Sequence, residues 1–185
     1  QGHIAYPHLA DNPIHNAFAA LEQLKNTTWD QGNNDFPPSS FQISNIHGGT
    51  GANNVIPGEL TVIFNFRFSP ESTPEQLQQS VTNILNQHQL NYQLKWNLSG
   101  QPFYCQDKEF ISRCATAIEK ITGIMPALST AGGTSDGRFI APTGAQVIEL
   151  GVINKTIHQI DECVKIADLE KLAAIYQQIL IKCFK

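Results

Sequence analysis

The run Ala131-Gly-Gly-Thr-Ser-Asp-Gly-Arg138 joins a glycine-rich turn to an arginine, and Asn154-Lys-Thr-Ile-His158 with the acidic pair Asp161-Glu162 follows it. Backbone N–H groups left open by glycine, together with the Thr134 hydroxyl, suit a carboxylate. The planar guanidinium of Arg138 can grip one through two parallel hydrogen bonds. The same turn is equally readable as a structural connection, and both readings stand at this point. His158 is a candidate metal ligand. Zinc takes three or four donors, however, and the remaining histidines lie far off in the sequence, so His158 alone reads as a hydrogen-bonded loop residue.

Three other places carry chemistry-bearing side chains. His3 and His8 flank a turn in Gly2-His-Ile-Ala-Tyr-Pro-His8; without a substrate they read as surface histidines, and with a carbonyl nearby an imidazole N–H donates to oxygen as charge builds there. Gly48-Gly-Thr-Gly-Ala-Asn-Asn54 reads either as a mobile hairpin connection or as a ligand loop in which the amides of Asn53 and Asn54 meet an amide or carboxylate. It lacks the Gly-Lys-Ser/Thr ending of a phosphate loop. Arg67 lies on the polar face of a strand and by itself reads as a solvated arginine. No Gly-x-Ser-x-Gly nucleophile turn and no Cys-x-x-Cys pair occurs.

The elements that position these residues fall into two stretches. Up to about Gln101 the order is strand, helix, two strands, helix, strand. Gly2 to Pro7 is a short strand, and Asn12 with Pro13 starts a helix to about Lys25 whose expected apolar face is Phe18, Leu21 and Leu24. Residues 27–39 form a polar loop and Phe41 to His47 alternates as a strand. Leu60, Val62, Phe64, Phe66 and Phe68 alternate with polar or outward residues, the pattern of a strand with one buried face. Thr73 with Gln76 is a capping box for a helix carrying Leu77, Val81, Ile84, Leu85 and His88, and Tyr92 to Leu98 completes the series. The order predicts a ferredoxin-like βαββαβ domain, a four-stranded antiparallel sheet with two helices on one face.

Past Gln101 the expected elements are a helix capped by Asp107 and ended by Gly123, strands near Ala127 to Thr130 and Ala145 to Leu150, and a final helix from about Ala167 to Cys183. This is too thin a layer to enclose its own core, so it is expected to pack against strands supplied by chain not present here. The fold class is therefore α/β (α+β), with residues 1–101 as one domain and 102–185 as a segment of a second. The opening without methionine, within a predicted strand, points to an excised segment.

Composition bounds the partners. A formal net charge of −4 gives no general attraction to phosphate backbones or anionic membranes. No apolar run approaches the ~20 residues of a membrane span, and the start carries no export signal. Four cysteines without close spacing read as thiols of a reducing cytoplasm rather than a disulfide scaffold.

Five ordered motifs give a more specific reading than any one of them. Gly2-His-Ile-Ala-Tyr-Pro-His-Leu-Ala-Asp-Asn-Pro-Ile-His15, Gly51-Ala-Asn-Asn-Val-Ile-Pro-Gly58, Phe64-Asn-Phe-Arg-Phe68, Gly132-Gly-Thr-Ser-Asp-Gly-Arg-Phe139 and Asn154-Lys-Thr-Ile-His-Gln-Ile-Asp-Glu-Cys163 resemble, in order, the signatures of the two-zinc amidohydrolases that include carboxypeptidase G and acetylornithine deacetylase. The motif set is most similar to the desuccinylase branch of that family.

The resemblance implies a lid and dimerisation domain over residues 1–101 and the last part of a zinc-hydrolase catalytic domain over 102–185. It implies two zinc ions per complete site, with His158 ligating one. His3 would reach into the partner's site of a homodimer to stabilise the oxyanion. Tyr6, Asn53, Asn54, Arg67, Gly133, Thr134, Arg138 and Asn154 would hold a dicarboxylate amide, N-succinyl-LL-2,6-diaminopimelate, on the way to lysine. A zinc-bound water deprotonated by a glutamate would attack the succinyl amide carbonyl. The family's His-x-Asp ligand motif and its Glu-Glu pair are absent from these residues, so the segment alone is expected to be inactive.

Two alternatives share the enzyme class or the fold: a deacylase of another N-acyl amino acid, and a non-catalytic dimerisation module. A third is an RNA-recognition-like domain stacking bases on Phe64, Phe66 and Phe68. Against it, the alternation buries those rings, the basic-glycine signature is missing and the charge is negative, so no nucleic-acid or membrane partner is expected.

Overall fold

A computed structural model describes Gln1 to Phe184. The chain divides into two compact units, Gln1–Ser99 and Gly100–Lys185.

In the first unit β1 (Gly2–His3) leads through a 3-10 turn at Pro7–Leu9 to α1 (Pro13–Asn26), then β2 (Ser40–Gly48), β3 (Val55–Ile56), β4 (Leu60–Arg67) and α2 (Pro74–Gln87). β2 and β4 run antiparallel, with Phe41 opposite Phe66 and Ile43 opposite Phe64. A bulge at Ser44 shifts the register, and the Ser44 hydroxyl donates to the Ile63 carbonyl at 3.2 Å. Val62, Phe64 and Phe66 alternate inward along β4, and the Trp29 ring meets Phe66 edge-on with centroids 4.6 Å apart.

Ala20, Leu24, Phe41, Val81, Ile84 and Leu85 form the core, which the two helices cover from one side. The four apolar positions predicted for α2, Leu77, Val81, Ile84 and Leu85, are all buried. Its capping box is present: the Gln76 N–H donates to the Thr73 hydroxyl at 3.2 Å and the Thr73 N–H to the Gln76 side chain at 2.9 Å. On α1 the buried stripe is Ala17, Ala20 and Leu24, and Phe18 faces outward at 60% exposure, contrary to expectation. The two alanines lie three apart on the inward face, where a small side chain lets the helix approach the core closely.

The predicted four-stranded sheet is two pairs instead. β1 pairs with β3 and β2 with β4, both antiparallel. Tyr92 to Leu98 forms no ladder. It nevertheless docks by its side chains, with Tyr92 and Leu94 against the core and Trp96 edge-on to Phe64 at 5.5 Å. Alternation sets which side chains turn inward; a strand also needs a neighbour's backbone to bond.

The second unit contains α3 (Lys108–Thr122), the single helical turn α4 (Gly137–Ile140) with a 3-10 turn at Ala141–Thr143, and α5 (Ile166–Cys183). Asp107 caps α3 by accepting from the Phe110 N–H at 2.9 Å, and Gly123 ends it at φ 73°, the left-handed region that favours glycine. Helices α3 and α5 lie together, joined by Arg113 donating to the Lys182 carbonyl at 3.1 Å and Lys120 to the Gln178 side chain at 2.8 Å.

The strands expected near Ala127 to Thr130 and Ala145 to Leu150 are not formed: neither segment joins a ladder with another strand among the described residues. Leu128, Ile160 and Ile166 stand 71%, 95% and 76% exposed, so this unit leaves much of its apolar surface open. All four cysteines are free thiols, and no described helix is long and apolar enough to cross a membrane.

Candidate functional site

In the first unit the β1–β3 pair assembles one group. His3 lies opposite Val55, and the Ile4 N–H donates to the Asn54 carbonyl at 3.1 Å, so His3 and the Asn53-Asn54 end of the glycine loop are drawn together. Tyr6 joins them: its N–H donates to the His3 carbonyl at 2.9 Å, and its ring lies 5.8 Å from the imidazole. All four side chains are exposed. The Ala5 N–H donates to His3 Nδ1 at 3.1 Å. A nitrogen that accepts an N–H carries no proton, so the proton of the neutral ring sits on Nε2, free to donate outward.

Arg67 is not part of this group. It closes β4 opposite Ser40, whereas the glycine loop lies toward Leu60, and seven residues of strand separate those ends by roughly 23 Å. Arg67 is exposed on the outer face, as its position in the alternation predicts.

The second unit holds the other candidates. Gly132 has φ 113°, and side chains built on Gly132 or Gly133 would meet nothing within 4 Å, so this half of the turn stands open. The following half is anchored. The Ser135 N–H donates to Glu149 Oε1 at 3.2 Å, the Ser135 hydroxyl donates to the same oxygen, and the Gly137 N–H donates to Ser135 Oγ at 3.0 Å. Arg138 packs its aliphatic stem on Gly100, and its guanidinium lies 4.7 Å over the Phe139 ring. Arg138 Nε is buried with no hydrogen-bond partner.

The turn therefore offers open amides and a charged group with unused donors, which is what a carboxylate needs. The helix it opens has four residues, too few for a helix dipole to matter, so binding would rest on local N–H groups and the arginine.

His158 sits at φ 59° in a tight exposed loop, its N–H donating to Glu162 Oε2 at 3.0 Å. Asn154 begins that loop by accepting the Ile157 N–H at 3.0 Å, and the Cys163 N–H on Thr156 Oγ1 at 3.0 Å closes it. The imidazole is exposed and makes no hydrogen bond among the described residues. No group of three histidines, cysteines or acidic residues there is placed to hold a metal ion. The structure thus gathers two sets, His3 with Tyr6, Asn53 and Asn54, and Gly133 with Thr134 and Arg138. Asn154 and His158 form a third. Glu149 is the residue that sequence reasoning missed, since a lone acid in Gln146-Val-Ile-Glu149 carries no motif.

Comparison with known proteins gives the chain a context. A family model described as the peptidase dimerisation domain matches residues 1–93. The succinyl-diaminopimelate desuccinylase of Nitrosococcus oceani is 61% identical over 180 residues, 97% of this chain and 48% of the relative. Succinyl-diaminopimelate desuccinylase 2 of Alteromonas mediterranea is 63% identical and the desuccinylase of Acinetobacter baumannii 62%, with the same coverage. The chain spans about half the length of the curated relatives it matches. Among solved structures, aminopeptidase PepT from Bacillus cereus superposes with a TM-score of 0.68 at 20% identity, covering 100% of this chain and 49% of that one. An M20 family metallo-carboxypeptidase from Sulfolobus solfataricus gives 0.68 at 14%, covering 96% and 54%. These two likenesses establish the fold.

Proposed function

The chain belongs to the peptidase dimerisation domain family, and from that we infer that it is the dimerisation and C-terminal portion of a metal-dependent amide hydrolase. The reaction we propose is hydrolysis of N-succinyl-LL-2,6-diaminopimelate to succinate and LL-diaminopimelate, a cytoplasmic step of lysine biosynthesis. The observation that carries this reading is identity above 60% along 97% of the chain with relatives named for that reaction. Residues 1–101 would be the lid that pairs two copies, and 102–185 the end of the catalytic domain. The apolar surface left open around Leu128, Ile160 and Ile166 supports this, because it needs further chain to cover it.

A metal centre needs three or four donors, and no such group is brought together among the described residues. His158 fits as a single donor to a centre completed by the rest of a relative-length protein: its ring is exposed and unpaired among the described residues, while Glu162 holds its backbone. We name zinc as the metal, two ions per complete site; when bound, zinc supplies a water acidified toward neutral pH.

The chain's own residues would do the rest. His3, its proton placed on Nε2 by the Ala5 N–H, would donate to the amide oxygen as negative charge develops there. Asn53, Asn54 and Tyr6 stand around it to orient the amide. Arg138 with the Gly133 and Thr134 amides would take one carboxylate, and Arg67 and Asn154 would hold the others. A guanidinium desolvated by a bound ligand is costly when left without a carboxylate, so these contacts would reject uncharged analogues.

The test is to express this chain alone and joined to the preceding half found in its relatives, and to follow release of succinate with and without a chelator. The expected result is no hydrolysis by the chain alone and chelator-sensitive hydrolysis by the complete protein. Hydrolysis by the chain alone, or a complete protein that releases no succinate, would overturn the proposal.

A further inference from the structure

Glu149 is the acidic side chain in contact with the glycine turn, yet it makes no ion pair with Arg138. Its Oε1 takes both the N–H and the hydroxyl of Ser135, and Ser135 Oγ takes the Gly137 N–H at 3.0 Å. The turn is pressed against the same segment: a side chain built on Gly137 would stand 3.0 Å from Glu149 Oε1, Phe103 Cζ and Val147 Cγ1. Upstream, a side chain built on Gly132 or Gly133 would meet nothing within 4 Å, so the hydrogen bonds that fasten the turn are those at Ser135 and Gly137. Downstream, the Arg138 stem rests on Gly100 and its guanidinium over Phe139, and its buried Nε lacks a partner. With the carboxylate committed to Ser135, the arginine charge is left for a ligand.

We propose that Glu149 is a positioning residue: through Ser135 it fixes the Gly132–Arg138 turn so that Arg138 and the Gly133 and Thr134 amides face one carboxylate of the substrate. This rests on the reading of the chain as part of a hydrolase for a dicarboxylate amide. A carboxylate that accepts two hydrogen bonds from one residue holds both its backbone and its side chain, as outer partners of binding groups commonly do. It also keeps a negative charge beside the site without neutralising the arginine.

The experiment uses the complete protein. E149A and S135A are each expected to raise KM for N-succinyl-diaminopimelate roughly tenfold or more while kcat falls less, since a displaced clamp loses ground-state binding first. E149Q keeps a carbonyl oxygen that accepts from both Ser135 donors and is expected to retain most of the affinity. The double variant S135A/E149A should be no worse than either single one, because both remove the same link. A KM within twofold of wild type in both E149A and S135A, with lowered Tm as the sole change, would overturn the proposal, as would additive losses. Hydrogen exchange at the Ser135 and Gly137 amides separates this inference from the reaction assignment. Faster exchange in E149A with no succinate release by the wild-type protein refutes the assignment and supports the anchor. Unchanged exchange in an active protein refutes the anchor.

Discussion

The Asp30 carboxylate accepts the Ser72 hydroxyl at 2.7 Å across 42 residues of sequence. The same group accepts the Ser69 hydroxyl at 3.1 Å and the Gly32 and Ser39 N–H groups at 2.9 and 2.8 Å, so one side chain pins the polar loop of residues 27–39 to the start of α2. Burial opposes its charge, but the hydrogen bonds from Ser39, Ser72 and Gly32 outweigh that and hold the carboxyl far below the usual carboxylate range.

Removing this anchor should weaken the first unit. Asp30→Ala is expected to cost about 1.5–3 kcal/mol, and Asp30→Asn less because one oxygen remains to accept. Because the folded pKa is depressed, the stabilisation is complete above the ordinary carboxylate pKa near ~4 and is lost as the pH falls below it toward the folded value. Urea unfolding followed by the fluorescence of Trp29 and Trp96 at pH 7 and at acid pH checks both statements. Equal urea midpoints for wild type and Asp30→Ala at pH 7 would show the cluster contributes nothing.

The anchor also marks what sequence makes legible. Local chemistry was readable: the Thr73–Gln76 box, the Asp107 cap and the two-residue alternation of β4 each depend on neighbours a few positions away. Contacts that join distant segments were not. Asp30 lies in a loop with no apolar period, and Glu149 is one acid in an apolar run, so neither betrays its serine partners. Phe18 was misplaced because hydrophobicity ranks it above Ala17 and Ala20, whereas helix position decides which side chain turns inward. The segments 92–98, 127–130 and 145–150 have strand-like side chains but join no sheet among the described residues, and pairing is a property of two segments rather than one.

The left-handed cap of α3 gives a second stability prediction. Gly123 donates its N–H to the Glu119 carbonyl at 2.7 Å from φ 73°, with no atom near enough to obstruct a side chain. The expected cost of Gly123→Ala is therefore conformational, about 1–2 kcal/mol, and Gly123→Asn should cost less because asparagine tolerates this region. Far-UV circular dichroism during chemical unfolding of the three proteins measures it. An alanine variant as stable as the wild type would mean that the helix end adopts another conformation.

Under the proposed function His3 supplies the sharpest prediction, because one of its two ring nitrogens is already engaged within the chain. The Ala5 N–H occupies Nδ1 at 3.1 Å, the β1–β3 pair fixes the backbone, and Nε2–H is left facing outward beside Asn54 and Tyr6. A donor aimed at a developing oxyanion acts more strongly in the transition state than on the bound substrate, so its removal lowers kcat and leaves KM nearly unchanged. In the complete protein His3→Ala is expected to reduce kcat about a hundredfold or more. His3→Gln, which retains an N–H donor, should lose less. Steady-state kinetics on the three proteins decides the matter: a raised KM with kcat intact would make His3 a binding residue, and unchanged values of both would remove it from the site.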